Sequence, residues 1–129
     1  KTSNGGVLWT PQTSGTLADL YGVHFVSTTT GFVVGTGGVL RRTTDGGNSW
    51  TAMSSGTSAT LFAIHFPTPT TGYAVGEGGV IRKSTDGGLT WVAQTSGTSS
   101  ALVGVQFAPG DGVHGWAVGQ GGVIRRSTE

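Results

Sequence analysis

The chain has 129 residues, the size of one ordinary domain, and combines 25 glycines with a charged fraction of only 10%. The glycines and the 4 prolines recur at regular intervals between apolar runs, which indicates a turn-dense fold rather than a low-complexity sequence. A formal net charge of +1 argues against nucleic acid and anionic membrane surfaces as partners, and the absence of cysteine excludes a disulfide framework.

No apolar run approaches the roughly 18 residues that a membrane span requires, so membrane insertion is not expected. The chain begins at Lys1 rather than at methionine. We therefore expect a processed product or an excerpt, and composition alone leaves the compartment open.

A unit of 41 residues repeats along the chain. Trp9, Trp50 and Trp91 recur at this spacing, and residues 21–50 align with residues 62–91 without a gap. A third copy begins at Val103, contains two extra residues in one loop and stops at Glu129. A fixed period of about 20–50 residues is typical of solenoids and propellers.

Each unit predicts four short strands separated by glycine-rich turns; in the middle unit they cover about residues 61–67, 72–76, 79–85 and 90–96. Segments such as GYAVG are apolar on both sides of the pleat, which suits a sheet packed between two others. Four strands in about 40 residues are typical of a β-propeller blade. We predict an all-β partial propeller of three four-stranded blades, because the alternative, a β-sandwich, would not require such similar units.

In chain order, the predicted single partial propeller of residues 1–129 has four parts. Residues 1–19 form a latch strand, residues 20–60 the first blade, residues 61–101 the second, and residues 102–129 the first three strands of a third. Residues 1–9 align with residues 83–91, so the latch corresponds to a fourth strand without its first three. Residues 126–129 occupy the same register as residues 1–4.

Three blades leave two open apolar faces, which aggregate unless they meet a partner. We expect the ring to close by oligomerisation with strand exchange, in which the latch of one copy completes the third blade of another. A homodimer of six blades is the simplest closure, and a trimer of nine blades is the alternative.

The outer turns carry an Asp box. STDGGLTW (residues 84–91) fits the pattern, TTDGGNSW (residues 43–50) departs from it only at Ser49, and TSNGGVLW (residues 2–9) is a degraded copy. The carboxylate can accept N–H bonds of its own turn, glycine supplies a positive φ, and tryptophan packs on the blade. We predict structural roles for Asn4, Gly6, Trp9, Asp45, Gly47, Trp50, Asp86, Gly88 and Trp91.

With the preceding G-x-x-G-G-[VI]-[LI]-R-[RK] segment and the aromatic residue in GFVVG, GYAVG and GWAVG, the unit resembles the bacterial neuraminidase (BNR) repeat. The resemblance covers essentially the whole chain. It is closest to the branch found in photosystem II assembly and stability factors of cyanobacteria and chloroplasts. It implies a non-catalytic scaffold in a lumenal, periplasmic or extracellular compartment that binds an assembling membrane-protein subunit. Factors of that branch carry seven blades on one chain, whereas this chain has three.

Repeated cations and a variable turn position are candidate binding positions. Arg41, Arg82 and Arg125 recur at one position of the third strand, followed by a second set, Arg42, Lys83 and Arg126. Such bands can dock an acidic protein segment or a carboxylate, or can simply be solvated charge that prevents edge pairing. Thr36, Glu77 and Gln120 share one turn position where the repeat tolerates substitution, as recognition loops must.

His24 and His65 recur on the innermost strand, where the third copy has Gln106. A dimer would place four imidazoles around the central channel. Four histidines at one depth can bind zinc, but polar residues lining a wet channel are the favoured interpretation. No metal site is therefore predicted.

Few titratable groups are available for catalysis. The chain has six acidic residues, of which Asp45 and Asp86 are assigned to turns, and Tyr73 occupies a repeat position held elsewhere by Phe32 and Trp116. We expect no enzymatic activity and no cofactor. Three hypotheses remain open: a protein-binding scaffold, a glycan-binding propeller with one shallow site per blade, and an engineered or reconstructed fragment with no selected ligand.

Overall fold

The glycine-rich turns divide the chain into hairpins, and the computed structural model, which describes residues 1–127, has three antiparallel sheets. The first sheet consists of β1 (Leu20–Phe25), β2 (Gly31–Gly35), β3 (Leu40–Thr43) and β4 (Thr51–Met53). The second consists of β5 (Leu61–His65), β6 (Gly72–Gly76), β7 (Ile81–Ser84) and β8 (Val92–Gln94). The third consists of β9 (Leu102–Phe107), β10 (Gly115–Gly119) and β11 (Ile124–Arg126).

In every sheet each strand pairs with the next strand of the chain, so the sheets are simple meanders. The predicted all-β class and the four-stranded unit are confirmed. One-turn 3₁₀ segments connect the second and third strands: Thr36–Gly38, Glu77–Gly79 and Gln120–Gly122. Among residues 1–127, no helix has the length and apolar character needed to cross a membrane.

The segment predicted as a latch contains none of the strands described for residues 1–127. It does form a hairpin, in which the N–H of Thr10 donates to the Lys1 carbonyl at 2.8 Å and the Lys1 amino group donates to the Thr10 carbonyl at 3.0 Å. Lys83 and Val92 are partners in the same way between β7 and β8. The segment thus reproduces the outer end of a blade, and its completion of a third blade stays a prediction. Of the residues in the expected overlap with residues 1–4, Thr128 and Glu129 lie outside the described part.

The sheets stack face to face in chain order. We call the face of a sheet that looks toward the start of the chain its front face, and the opposite face its rear face. Rear-face residues of the first sheet pack on front-face residues of the second: Phe32, Val34 and Leu40 against Leu61, Ile64, Phe66 and Trp91. The same packing joins the second and third sheets. The first strands β1, β5 and β9 lie side by side, as the inner strands of a propeller do.

Each contact between sheets is centred on two stacked rings. Phe32 stacks on Phe66 with ring centroids 4.4 Å apart, and Tyr73 stacks on Phe107 at 4.3 Å. The glycine that begins the second strand lies directly against one of these rings. A Cβ at Gly72 would lie 2.4 Å from the Phe66 ring, so only glycine fits this position.

We predict that Gly72→Ala destabilises the protein by roughly 1–3 kcal/mol, because the added methyl group must displace the Phe66 ring from its stack. Gly112→Ala is the matched control, since its nearest neighbour would be a Thr68 methyl group at 3.7 Å. Urea unfolding at one protein concentration measures both changes. Equal stability of the two variants would contradict the packing role of Gly72.

Candidate binding surface

The Asp box of the second sheet is closed by its carboxylate. Oδ1 of Asp86 accepts the N–H of Thr90 at 2.9 Å, the N–H of Leu89 at 3.1 Å and the Ser84 hydroxyl at 2.8 Å. Oδ2 accepts the Thr90 hydroxyl. Hydrogen bonds from the Thr90 hydroxyl and N–H, above all, lower the pKa of Asp86 to about 2. The charged form of this side chain is therefore part of the turn.

The other two boxes have the same frame. Asp45 accepts the N–H of Ser49 at 2.9 Å and its hydroxyl at 2.6 Å, and these bonds lower the pKa of Asp45 to about 2. In the N-terminal copy, Oδ1 of Asn4 accepts the N–H of Leu8 at 3.0 Å. An amide thus performs the backbone-binding part of the aspartate's role without a charge.

Sequence reasoning missed a second residue that stabilises each box. It is the serine or threonine two positions before the aspartate or asparagine, whose hydroxyl accepts a backbone N–H of the turn. Oγ of Ser84 accepts the N–H of Gly88 at 2.9 Å, and the residue is only 1% exposed. The hydroxyls of Thr43 and Thr2 accept the N–H of Gly47 and Gly6 in the same way. The Ser/Thr at the start of the box pattern was the available signal for this role.

The three box tryptophans differ in what covers them. Trp91 is 7% exposed, donates its indole N–H to the Gly88 carbonyl at 3.1 Å and meets the Phe66 ring edge-on. Trp50 meets Phe25 edge-on with centroids 6.0 Å apart. Trp9 is 69% exposed. The burial of the box tryptophan therefore depends on whether neighbouring sheets cover it.

The structure places the predicted arginines at the outer part of each sheet, against the linker that enters that sheet. Nη2 of Arg125 donates to the Gly97 carbonyl at 2.7 Å. A Cβ at Gly56 would lie 2.5 Å from Nη2 of Arg82, and Arg41 lies beside Gly15. Each arginine of this band thus touches a linker glycine with its guanidinium group.

The second band lies one residue further along the same strands, and Nζ of Lys83 lies 5.6 Å from the centroid of the Tyr73 ring. Within residues 1–127 the one ion pair joins His114 to Asp111 at 2.6 Å, so no lysine or arginine there is paired with a carboxylate. The buried Nε atoms of Arg41, Arg42 and Arg82 also have no hydrogen-bond partner. The third strands therefore carry two bands of cations with unused donor capacity, which we call the basic bands: Arg41, Arg82 and Arg125, with Arg42, Lys83 and Arg126.

His24 and His65 come together on adjacent inner strands, with ring centroids 4.9 Å apart and the rings nearly perpendicular. Burial is the main cause that lowers the pKa of both imidazoles, and the neighbouring His24 lowers that of His65 further. Burial therefore favours the neutral form of both imidazoles. No group of three or more candidate metal ligands is found in the part of the chain that the structure describes.

The variable turn position keeps its backbone contact while its side chain changes. The N–H groups of Thr36, Glu77 and Gln120 each donate to the carbonyl of the residue before the first strand, at 2.9, 2.9 and 3.0 Å. Oε2 of Glu77 also accepts the N–H of Thr60 at 3.4 Å. Glu77 therefore adds a side-chain contact to its own linker. The backbone hydrogen bond at this position is the same with all three side chains.

Meander sheets closed by Asp-box turns and stacked through their inner strands define this chain as a set of Asp-box β-propeller blades. Residues 48–129 match the family described as Photosynthesis system II assembly factor YCF48. The chain belongs to that family, which confirms the resemblance seen in the sequence.

Twelve chains of solved structures also match. YCF48 from Cyanidioschyzon merolae is 21% identical with a TM-score of 0.82, over 98% of this chain and 42% of that one. A structure of YCF48 bound to D1 peptide is 20% identical with a TM-score of 0.76, over 87% of this chain and 37% of that one. This chain therefore spans about two fifths of the length of these two structures, and the likeness establishes the propeller fold. No curated protein matches the sequence.

We predict that Ser84→Ala destabilises the protein by roughly 1–3 kcal/mol, because it leaves the buried N–H of Gly88 without a partner. Ser84→Thr is the matched control, since Thr43 performs the same role in the first sheet. Chemical denaturation followed by tryptophan fluorescence compares the two variants. A Thr variant as unstable as the Ala variant would argue that shape, and not the hydroxyl, is what matters.

Acid should weaken the fold as the box aspartates become protonated. The pKa of Asp86 is lowered from an ordinary value of 3.8 to about 2, so its ionised form stabilises the native state above the higher value. That contribution is lost as pH falls from 3.8 toward 2. We expect a variant with Asp45→Asn and Asp86→Asn to show a flatter decline of Tm with acid, measured by thermal unfolding between pH 5 and pH 2. An unchanged slope would mean that other groups control the acid response.

Proposed function

We propose that this chain is a non-catalytic propeller module that binds an acidic protein segment. Membership of the YCF48 family supports a role in the assembly of another protein. A structurally similar YCF48 is bound to a D1 peptide, so this fold can bind a peptide. The known ligand of that similar structure also favours a protein segment over a glycan.

The observation that carries the proposal is the unneutralised charge of the basic bands. In residues 1–127, six cations recur on three third strands and none forms an ion pair with a carboxylate. Arg125 and Arg126 are exposed, and Arg41, Arg42, Arg82 and Lys83 are partly exposed. Guanidinium groups bind carboxylates with two parallel hydrogen bonds, so a segment with spaced acidic side chains matches this surface.

The arrangement of the acidic groups supports a non-catalytic role. The carboxylates of Asp45 and Asp86 are held within their own turns, and Asp111 is paired with His114 in a loop. Tyr73 is 7% exposed and stacked on Phe107, so its hydroxyl is not presented as a nucleophile. These groups serve the fold, which leaves the module to act by binding.

We further propose that copies of the chain associate with each other into a closed ring, with a six-bladed dimer as the expected form and a nine-bladed trimer as the alternative. The first and third sheets each expose an apolar face whose equivalents in the other sheets are buried. A ring would repeat the basic bands in every blade, so that one ligand could contact several of them.

Binding of a fluorescently labelled D1 peptide, followed by anisotropy, tests the protein-binding proposal. We expect Arg82→Gln and Arg125→Gln each to weaken binding about tenfold, which corresponds to one charge-assisted hydrogen bond of about 1.5 kcal/mol. Raising the salt concentration should weaken binding of the unmodified protein as well, because salt screens exposed charges.

Lys1→Gln is the matched control, because Lys1 corresponds to Lys83 in the repeat but does not lie on a third strand. It should bind the peptide like the unmodified protein, and circular dichroism verifies that all variants are folded. Binding that is insensitive to Arg82, Arg125 and salt would contradict the proposed surface. Binding to a glycan array in the absence of peptide binding would favour the glycan alternative.

A further inference from the structure

The contact between the first and second sheets has the form of a plug in a socket. The Phe32 ring of the first sheet stacks on Phe66 at 4.4 Å and fills the space in front of Gly88, where a Cβ would lie 2.4 Å from the ring. Trp91 closes one side by meeting Phe66 edge-on, with centroids 5.8 Å apart and an interplanar angle of 89°. The plug is an aromatic ring of a rear face, and the socket belongs to the following front face.

The front face of the first sheet carries the same socket without a plug. Phe25 and Trp50 meet edge-on at 6.0 Å and 87°, which repeats the geometry of Phe66 and Trp91. The three atoms nearest to a Cβ at Gly47 would belong to Gln12, at 3.3 Å, and to Trp50, and none of them to a ring of a neighbouring sheet. An open cavity of about 630 Å³ lies here, between this face and the N-terminal hairpin, whose Lys1, Trp9 and Gln12 also line it. At the contact between the first and second sheets, the corresponding space is filled by the rear face of the first sheet.

The rear face of the third sheet carries the matching plug. Trp116 is 42% exposed, whereas its equivalents Phe32 and Tyr73 are 0% and 7% exposed. Val118 is 43% exposed, whereas the equivalent valines of the first two sheets, Val34 and Val75, are completely buried. This face therefore presents the side chains that form the two internal contacts, and no other part of residues 1–127 covers them.

The third sheet also has an open outer edge. Within residues 1–127 the outer edge of β11 pairs with no strand, and a groove of about 390 Å³ runs beside it, lined in part by Tyr73, Phe107 and Ile124. In the second sheet, the equivalent space holds β8 and the buried Trp91. Residues 9–12, which correspond to residues 91–94, carry the exposed Trp9 and are paired with no strand.

We propose that two copies of this chain dock head to tail, with Trp116 of one copy inserted into the socket formed by Phe25, Gly47 and Trp50 of the other. Trp9 and Gln12 of that other copy then fill the groove beside β11, with Gln12 opposite Ile124 as Gln94 lies opposite Ile81. Arg126 takes the place opposite Thr10 that Lys1 holds in the separate chain. This inference rests on the self-association set out under the proposed function.

A second copy fits these surfaces because the contact would continue an interface that the chain already contains. Both halves of the internal contact, plug and socket, are exposed on the same chain at opposite ends of the stack. Such a contact joins unlike surfaces, so it repeats until the rotation closes a ring. No surface outside the repeat is required.

Three valine-to-arginine variants test the docking by native mass spectrometry. Val118→Arg places a charge on the rear face of the third sheet, and Val23→Arg places one on the front face of the first, where the valine is 63% exposed. We expect each variant alone to lose the wild-type oligomer. An equimolar mixture should form a 1:1 complex, because one intact junction remains between the wild-type rear face of one variant and the wild-type front face of the other.

Val92→Arg is the matched control, since Val92 is 57% exposed on the outer strand β8 and its equivalent Thr51 stays exposed beside a complete contact. It should retain the wild-type oligomer. If the single variants are unfolded, recovery of a folded 1:1 complex on mixing still supports the docking, and a mixture without that complex overturns it.

Other outcomes separate the docking from the rest of the proposed function. A wild-type mass of three chains, with the same response of the variants, would replace the dimer by the trimer and retain the docking. A wild-type oligomer that survives both Val23→Arg and Val118→Arg would overturn the docking and retain self-association. A folded wild-type monomer at micromolar concentration would overturn both, while peptide binding is decided by its own experiment.

Discussion

A glycine facing an aromatic ring is the constraint on which the contacts between sheets depend. Gly72 and Gly115 lie against the rings of Phe66 and Phe107, where a Cβ would approach to 2.4 and 2.5 Å. Gly88 likewise leaves room for the Phe32 ring of the first sheet, which a Cβ would approach to 2.4 Å. Stacked rings at 4.3–4.4 Å hold the sheets in register because the backbone can approach them this closely. The high glycine content of the chain follows in part from this repeated need.

The Asp box extends this packing to the outer rim of each blade. A carboxylate or amide accepts one backbone N–H of the turn, and a buried hydroxyl accepts another. The tryptophan is held in place by this turn, and in the second sheet Trp91 donates its indole N–H to the turn carbonyl of Gly88. Whether that tryptophan is core or surface depends on the neighbouring sheet, as Trp91 and Trp9 show with 7% and 69% exposure. The turn is a local structure, and the burial of its tryptophan is a property of the assembly.

A frame that is satisfied by backbone and local side chains leaves other positions available for recognition. The turn at Thr36, Glu77 and Gln120 keeps one backbone contact with three different side chains. The basic bands combine both roles: Arg125 holds a linker carbonyl, and yet no carboxylate in residues 1–127 neutralises its charge. Family membership and charge together direct the functional interpretation toward an acidic protein segment.

The period, the four strands of each unit and the Asp boxes were all predicted from the sequence. These features depend on hydrogen bonds and on alternation within one repeat, so a window of about 40 residues contains the necessary information. The sequence also shows the repeated arginines, but it does not show that their guanidinium groups lie against linker glycines such as Gly56. Which of several equivalent residues are covered depends on the tertiary structure. Phe32, Tyr73 and Trp116 occupy one repeat position, and they differ in exposure because a ring is buried by the sheet in front of it, which its own repeat does not contain.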